Sequence, residues 1–323
     1  MIRSLAVWAA SGFLAFPAFA QQLPPTEGLR LLEKIAGAAQ ELNYSGVFVY
    51  QSGNHSETSR ISHIGDGSNE FERLEVLDGS PREIIRRNDE VRCYLPESRL
   101  VIVEHRSAQR SFPALMPGCL GGLTENYVVR RGQTGRVAGV ESQIVYVEPK
   151  DGFRYGHQLW IDPKTGLLLK AVMLNDKGEA IESFTFTEVR IGGKGVVPAA
   201  QEALDSNWRV QVVRTSEARR DDGQWLFKNA LPGFRRQPGI KRQLHPGGPE
   251  GTHVMFSDGL AAVSVFIEPV QGAASSESGD GPFAIGAINV VKRRVGGYQL
   301  VVMGDVPATA LRQFAEGIEP RSK

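Results

Sequence analysis

Apolar and polar residues alternate along much of the chain between residues 44 and 191, a pattern that predicts β-strands. Val91, Cys93 and Leu95 alternate with polar or amphipathic neighbours, as expected of a strand with one buried face. Short runs rich in apolar, aromatic and β-branched residues predict further strands at 44–51, 100–103, 144–147, 155–161, 167–173 and 181–189.

One helix is predicted ahead of these strands, from about residue 24 to residue 42. Pro24 and Pro25 mark its start, since proline is tolerated in the first turn of a helix. Apolar residues at spacings of three and four place one face of this helix on the core: Leu29, Leu32, Ala36 and Ala39.

Turn sequences rich in Gly, Pro, Asn and Asp separate the strands, for example at residues 65–67, 78–81 and 162–166. These gaps are too short for a parallel crossover, which needs a dozen or more residues, so neighbouring strands are expected to be antiparallel. The interval 107–124 differs because it combines apolar residues with two prolines and three glycines. We interpret it as a loop with a short helix that covers one side of the sheet.

The pattern changes after residue 204. Residues 205–223 are predicted to be a linker, because the segment 216–223 is polar with no apolar residue larger than alanine. Strands are predicted again at 253–256, 262–268, 289–293 and 299–302, followed by a helix at 308–317. The predicted fold class is α+β, with a large antiparallel domain at 21–204 and a smaller, mainly antiparallel α+β domain at 224–319.

The first twenty residues predict a signal peptide. Arg3 supplies a positive start, residues 5–16 are apolar, and residues 18–20 form a small-x-small cleavage site before Gln21. The mature chain is therefore expected to be exported. Without Arg3 it carries 36 basic and 36 acidic residues, and a balanced charge predicts no general attraction for nucleic acids.

The chain has two cysteines, Cys93 and Cys119. An oxidising compartment favours a disulfide between them, and two buried reduced thiols are the alternative. The pair is too small a set for a zinc or redox motif, so any bridge would be structural.

The sequence contains no motif that predicts catalysis. Its six histidines lack the spacing of a zinc-protease helix, and there is no phosphate loop, dinucleotide fingerprint or Gly-x-Ser-x-Gly elbow. Residues 257–259 are interpreted as a β-turn rather than a nucleophile site. We therefore expect a protein that is not an enzyme and has no cofactor or metal. Two His–Asp pairs are worth checking in three dimensions: His157 with Asp162, and His253 with Asp258.

Two C-terminal stretches are unusually specific: THVMFSDGLAAVSVFIE (252–268) and IGAINVVKRRVGGYQLVVMGDVP (285–307). They resemble the C-terminal domain of the RseB/MucB family. The stretch 160–189 resembles the late hairpins of the lipoprotein carriers LolA and LolB. The second resemblance implies that the large domain is a half-open antiparallel β-barrel with helices, whose concave face holds acyl chains.

The RseB/MucB resemblance implies a periplasmic regulator of an extracytoplasmic stress sigma factor, related to the sigma-E and AlgU systems. Such a protein binds the periplasmic part of a membrane-anchored anti-sigma factor, of the RseA or MucA type, and shields it from a DegS-type protease until lipopolysaccharide or another lipid releases it. A periplasmic carrier of lipid or lipoproteins is the alternative. The sequence leaves open whether the chain forms a homodimer.

Candidate site residues follow from the apolar and the basic positions. The candidates for lipid binding, which also fit an ordinary core, are Phe48, Tyr50, Phe71, Leu74, Tyr94, Leu115 and Met116. Basic clusters suit an acidic partner segment, although a solvated face has the same composition. The candidates for partner binding are Arg214, Arg219, Arg220, Arg235, Arg236, Phe256, Arg293, Arg294 and Tyr298.

Overall fold

The computed structural model describes residues 20–65, 69–105, 120, 122–193, 207–213, 219–220, 223–244, 248–270 and 282–321. The signal peptide predicted at residues 1–20 lies almost wholly outside these ranges, as do Leu115, Met116, Cys119 and Arg214. Within the described ranges, no helix is long and apolar enough to cross a membrane.

A large open sheet forms the N-terminal part of the protein. Its strands are β1 (Gln21–Gln22), β2 (Tyr44–Ser52), β3 (His55–Gly65), β4 (Glu70–Val76), β5 (Glu83–Arg87), β6 (Glu90–Leu95), β7 (Leu100–His105), β8 (Tyr127–Val137), β9 (Val140–Pro149), β10 (Gly156–Ile161), β11 (Leu168–Leu174), β12 (Ala180–Ile191) and β13 (Arg209–Val213).

Neighbours along the chain are mostly neighbours in this sheet, with β12 paired to β2 where the two halves join. Every pair is antiparallel except β13, which lies parallel to β7. The sheet ends at β1 on one side and β13 on the other, so the described strands do not close a barrel. The predicted open, antiparallel architecture is confirmed, and the parallel β13 is an addition that the turn pattern does not predict.

Helix α1 (Pro25–Glu41) packs on one face of the sheet, where the sequence predicts a helix. Leu32 and Ala39 are buried as predicted, together with Ile35 and Ala38, while Leu29 is only partly buried. Register places apolar side chains of β2, β3 and β4 on the face that meets this helix, because directly paired residues share a face. A short helix, α2 (Leu123–Asn126), follows the interval predicted to contain one.

The C-terminal part has its own sheet and core. Its strands are β14 (Arg219–Arg220), β15 (Trp225–Phe227), β16 (Arg235–Arg236), β17 (Ile240–Gln243), β18 (Glu250–Ser257), β19 (Ala262–Pro269), β20 (Pro282–Ile285), β21 (Ile288–Val295), β22 (Tyr298–Gly304) and β23 (Ile318–Pro320). Helix α3 (Ala308–Glu316) covers one face with Leu311, Phe314 and Ala315 buried, as predicted.

Fewer residues separate the two sheets than the linker predicted from the sequence would contain. Strand β13 belongs to the first sheet and β14 already belongs to the second, so the predicted linker at 205–223 contains two strands. Only residues 214–218 lie between these strands, and they are outside the described ranges. The division into two separable domains stays a prediction.

Candidate functional site at the domain junction

A buried ion pair joins the two parts of the protein. Arg154 lies between β9 and β10, and Asp258 lies in the turn between β18 and β19. The Arg154 Nη1 is 3.3 Å from the Asp258 Oδ2, and neither side chain is exposed to solvent. The Tyr127 hydroxyl donates to the same Asp258 oxygen at 3.1 Å. Burial, and then the charge of Asp258, raise the pKa of Tyr127.

The turn that holds Asp258 is shaped by its own side chains. The N–H groups of Leu260 and Ala261 donate to the Asp258 Oδ1, each at 2.9 Å. Ser257 Oγ donates to the carbonyl of Ala261 at 2.9 Å. The predicted β-turn at residues 257–259 is confirmed, since Ser257 serves the turn. The turn leaves the second Asp258 oxygen directed at Arg154.

Arg154 is surrounded by both domains. Its guanidinium lies over the rings of Tyr127 and Phe234, 5.5 and 5.2 Å from their centroids, and donates to the carbonyl of Pro232. A planar guanidinium suits such a site because it stacks on aromatic rings while its N–H groups reach acceptors in the same plane. Arg154 Nε also lies 3.3 Å from Asp151 Oδ1 in its own turn. Removing Arg154 would leave the buried Asp258 carboxylate without its cation, and we infer that the pair favours one arrangement of the domains.

A second contact joins the domains at the β20–β21 turn. The Ala287 N–H donates to Ser52 Oγ at 3.2 Å, and Asn289 Nδ2 donates to the Tyr155 hydroxyl at 3.0 Å. Gly286 has a φ of +60°, and a Cβ at this position would overlap the Ser52 hydroxyl. The close approach of the β20–β21 turn to Ser52 therefore depends on glycine at position 286.

A cleft of about 420 Å³ opens beside this second contact, lined by both domains. Its N-terminal walls are the β2–β3 turn with His55 and the start of β12 with Ile181 and Glu182, and Gly286 closes it from the C-terminal side. Burial raises the pKa of the Glu182 carboxyl. The cleft therefore lies beside the junction, with polar and apolar lining residues that belong mainly to the N-terminal domain.

The candidate lipid residues do not share one face of the sheet. Phe48 and Leu74 face the core beneath α1, where Phe48 packs edge-on against Phe184 and Phe186. Phe71 and Tyr94 belong to a separate cluster on the opposite face. The expectation of a common concave face therefore fails for this second pair, because Phe71 and Leu74 are three residues apart in a strand whose side chains alternate.

Of the lipid candidates under α1, Phe48 is almost fully buried, whereas Tyr50 and Leu74 are partly buried at the margin of the core. The margin is the place where a ligand would first meet these side chains. Lipid binding itself stays a prediction.

The basic candidates fall into different environments. Arg235 and Arg236 are exposed on β16, with the Arg236 guanidinium 5.2 Å from the centre of the Phe227 ring. The Arg235 Nη2 comes within 3.5 Å of the position that a Cβ on Gly122 would occupy, so this side chain reaches the N-terminal domain beside α2. Arg235 therefore borders the junction, whereas Arg236 lies exposed over Phe227 of the C-terminal domain.

Two other partner candidates have structural contacts. Phe256 is a core residue, 3% exposed and packed on Phe227 and Phe314, so its predicted contact with a partner does not fit the structure. Arg293 Nη1 donates to the carbonyls of Ala315 and Glu316, and so binds the C-terminal end of α3.

The last candidates lie near the surface. Arg294 Nε donates to Gln299, and Tyr298 is 36% exposed with its ring edge-on to Trp225. Arg219 and Arg220 form β14, and only their backbone is described.

Cys93 is half-buried and has no disulfide partner among the described residues, and burial raises the pKa of its thiol. Its predicted partner Cys119 lies outside the described ranges, so the disulfide stays a prediction. The His–Asp pairs have other contacts: His253 Nε2 lies 3.3 Å from Ser264 Oγ, and Asp162 accepts the hydroxyl proton of Thr165 at 2.5 Å.

Sequence reasoning missed Arg154 and Tyr127. Both residues are more than 100 positions from Asp258 in the sequence. Arg154 ends the segment Asp-Gly-Phe-Arg, which matches no known motif. The sequence shows an arginine in a tight turn between two predicted strands, but it does not indicate which residue pairs with that arginine.

Comparison with known proteins agrees with this architecture over both domains. Residues 27–210 match the MucB/RseB N-terminal domain, and residues 219–319 match the MucB/RseB C-terminal domain. The sigma factor AlgU regulatory protein MucB of Pseudomonas aeruginosa is 31% identical over 303 residues, which cover 90% of each chain. The sigma-E factor regulatory protein RseB of Haemophilus influenzae is 22% identical over 295 residues, again 90% of each.

Solved structures of MucB show the same fold. MucB in complex with MucA(peri) has a TM-score of 0.70 and 29% identity, covering 92% of this chain and 100% of that one. A crystal structure of MucB has a TM-score of 0.62 and 27% identity, covering 92% and 98%. The two matched domains and these relatives place the chain in the MucB/RseB family of periplasmic sigma-factor regulatory proteins.

Proposed function

We propose that this protein binds the periplasmic segment of a membrane-anchored anti-sigma factor and holds it in a protease-resistant state. The observation that carries the proposal is the solved complex of the relative MucB with MucA(peri), whose MucB chain matches this one over 92% of its length. Bound in this way, the protein acts as a negative regulator of a stress sigma factor, because the intact anti-sigma factor keeps the sigma factor inactive.

The domain junction supports this role. It offers a cleft lined by both domains and a basic border at Arg235, with the exposed Arg236 next to it on β16. An acidic partner segment would be drawn to this border, where exposed charges mainly set the association rate. Most of the affinity would come from apolar side chains buried in the contact.

Lipid, including lipopolysaccharide, is the proposed releasing ligand. Tyr50 and Leu74 lie partly buried at the margin of the core between the open sheet and α1, and we propose this margin as the point of lipid entry. A lipid that enters there releases the partner only if it binds the partner-free form more tightly than the complex. Bound lipid should therefore weaken binding of the partner segment by the same factor by which the bound segment weakens binding of lipid.

Association kinetics test the proposal. The mature protein is mixed with the anti-sigma periplasmic segment encoded in the same genome, at low and high salt. Charge reversal at Arg235 and Arg236, both to Glu, should slow association most at low salt, where screening is weakest. Reversal of Lys164 and Lys177, exposed lysines in turns of the N-terminal sheet, is the matched control and should change the rate little.

No binding of the segment by the wild-type protein, under conditions where the protein is folded, would contradict the proposed function. Equal rates for both double variants at every salt concentration would remove the basic border from the binding surface while leaving partner binding intact.

A further inference from the structure

A buried cluster of one histidine and two carboxylates lies near the end of β3 opposite to the residues that line the cleft. His63 is on β3, and Glu70 and Glu72 are on the adjacent strand β4. His63 and Glu72 pair directly across the hairpin, so their side chains share a face. His63 is 1% exposed and Glu72 is 5% exposed.

The orientation of the His63 ring is fixed from two sides. Its Nδ1 lies 2.7 Å from the carbonyl oxygen of Leu42, and the ring stacks on Tyr44 with centroids 4.9 Å apart. A carbonyl only accepts, so Nδ1 must carry the proton of this hydrogen bond. Nε2 is therefore the nitrogen that faces the carboxylates.

The Nε2 atom lies 3.2 Å from Glu70 Oε1. In a neutral ring protonated on Nδ1, this nitrogen presents a lone pair to a carboxylate oxygen, and two acceptors in contact repel each other. Either a proton or a metal ion between them removes the conflict. The hydrogen bond from the other ring nitrogen to a backbone carbonyl is the arrangement found around metal-binding histidines.

The local charge also favours a cation. Glu70 and Glu72 bring two negative charges, and Arg86 compensates one, with its Nη1 3.4 Å from Glu70 Oε1. The imidazole nitrogen and both carboxylates meet where little solvent reaches, and a low dielectric strengthens their attraction for a cation.

We propose that His63 Nε2 and the carboxylates of Glu70 and Glu72 bind a divalent transition-metal ion, with Zn²⁺ as the best fit. One ligand atom from each residue lies within 4.8 Å of the others. An imidazole nitrogen combined with carboxylate oxygens suits Zn²⁺, whereas Ca²⁺ and Mg²⁺ require oxygen ligands. Through the Leu42 carbonyl, the ion would tie the end of α1 to the β3–β4 hairpin.

Titration of the metal-free, mature full-length protein with ZnCl₂ tests the site. Calorimetry and elemental analysis should give one Zn²⁺ per chain, with an increased Tm, and CaCl₂ should bind far more weakly. Glu72→Gln keeps the shape of the side chain and should weaken Zn²⁺ binding at least tenfold. His253→Gln is the matched control, because His253 is a half-buried sheet histidine in the other domain, and it should bind Zn²⁺ like the wild type.

Circular dichroism establishes that each variant is folded, and an X-ray absorption spectrum reads the coordination independently of stability. One nitrogen with oxygen ligands in the wild type supports the assignment. No stoichiometric Zn²⁺ in the folded wild type, or equal binding by Glu72→Gln, overturns it. A His63 ring that carries protons on both nitrogens in the presence of Zn²⁺, seen by nitrogen NMR, overturns it as well.

Discussion

Arg154 and Asp258 meet across the domain junction with their charged atoms 3.3 Å apart and no solvent exposure on either side chain. The pair connects a turn of the N-terminal sheet to a turn of the C-terminal sheet. Because ions lose their hydration when buried, such a pair specifies an arrangement more than it adds net stability. It is the contact through which we expect the two domains to keep their relative positions.

Breaking this pair should be costly. Asp258→Asn keeps the oxygen that accepts from Leu260 and Ala261 but removes the charge, and Arg154→Met keeps an apolar side chain between Tyr127 and Phe234. Each is expected to lower the free energy of unfolding by about 3–5 kcal/mol. Urea denaturation measures this change.

The control is Arg60→Met, which breaks an exposed ion pair with Glu75 and should cost at most about 1 kcal/mol. If Asp258→Asn is no more destabilised than this control, the buried pair does not hold the junction.

A buried histidine predicts a loss of stability in acid. Burial lowers the pKa of His157 to about 4 from an ordinary value of 6.5. The unfolded chain binds the proton first as pH falls, so the stabilising effect is complete above pH 6.5 and is lost between pH 6.5 and 4. The loss is about 3 kcal/mol. His157→Met should show a smaller fall in stability over this range.

Asp305 is expected to change the stability with pH in the opposite direction to His157. Burial raises the pKa of its carboxyl to about 6, so its contribution is present below pH 3.8 and is lost as pH rises through 6. Asp305→Asn should therefore gain stability relative to the wild type as pH rises from 4 to 7. Parallel pH profiles for the wild type and both variants would show that neither group titrates as described.

The helices and strands were predicted from the sequence better than the residues of the candidate binding surfaces. Alternation and apolar runs identified seven of the thirteen described strands of the first sheet and four of the eight of the second. The apolar spacing of α3 identified its buried residues, because these signals are local. No strand was predicted at β4, so Phe71 and Leu74 were assigned to one face although alternation along that strand places them on opposite faces.

Residue type alone also predicted the wrong role for side chains whose environment is set by tertiary contacts. Phe256 looks like a partner contact in sequence but fills the C-terminal core, and Arg293 binds carbonyls at the end of α3. The pairing of Arg154 with Asp258 joins two turns from different domains, and nothing in either turn alone indicates the other.

Cleavage between the domains tests the division of the chain. Arg214 lies in the only stretch, residues 214–218, that separates strand β13 of the first sheet from β14 of the second. Limited trypsin digestion should cut at Arg214, Arg219 or Arg220 and leave two stable fragments, identified by mass spectrometry. A single protected core, with no cut between residues 205 and 225, would count against two separable domains.

Lipid binding should depend on the margin of the core under α1. Leu74→Glu introduces a charge at a partly buried position there, and it should reduce binding of lipid A at least tenfold because a carboxylate is costly beside acyl chains. Leu77→Glu is the control, since Leu77 is 39% exposed, and it should bind lipid like the wild type. Equal lipid affinity in both folded variants would exclude this site.

In the proposed function, the protein protects an anti-sigma factor from cleavage until lipid arrives. The most direct measurement follows cleavage of the anti-sigma periplasmic segment by its activating DegS-type protease, with and without this protein and with lipopolysaccharide added last. We predict that an equimolar amount of the protein slows cleavage strongly and that lipopolysaccharide restores the rate, with Leu74→Glu protecting but no longer responding to lipid. Cleavage at the same rate with and without the folded protein would contradict the account.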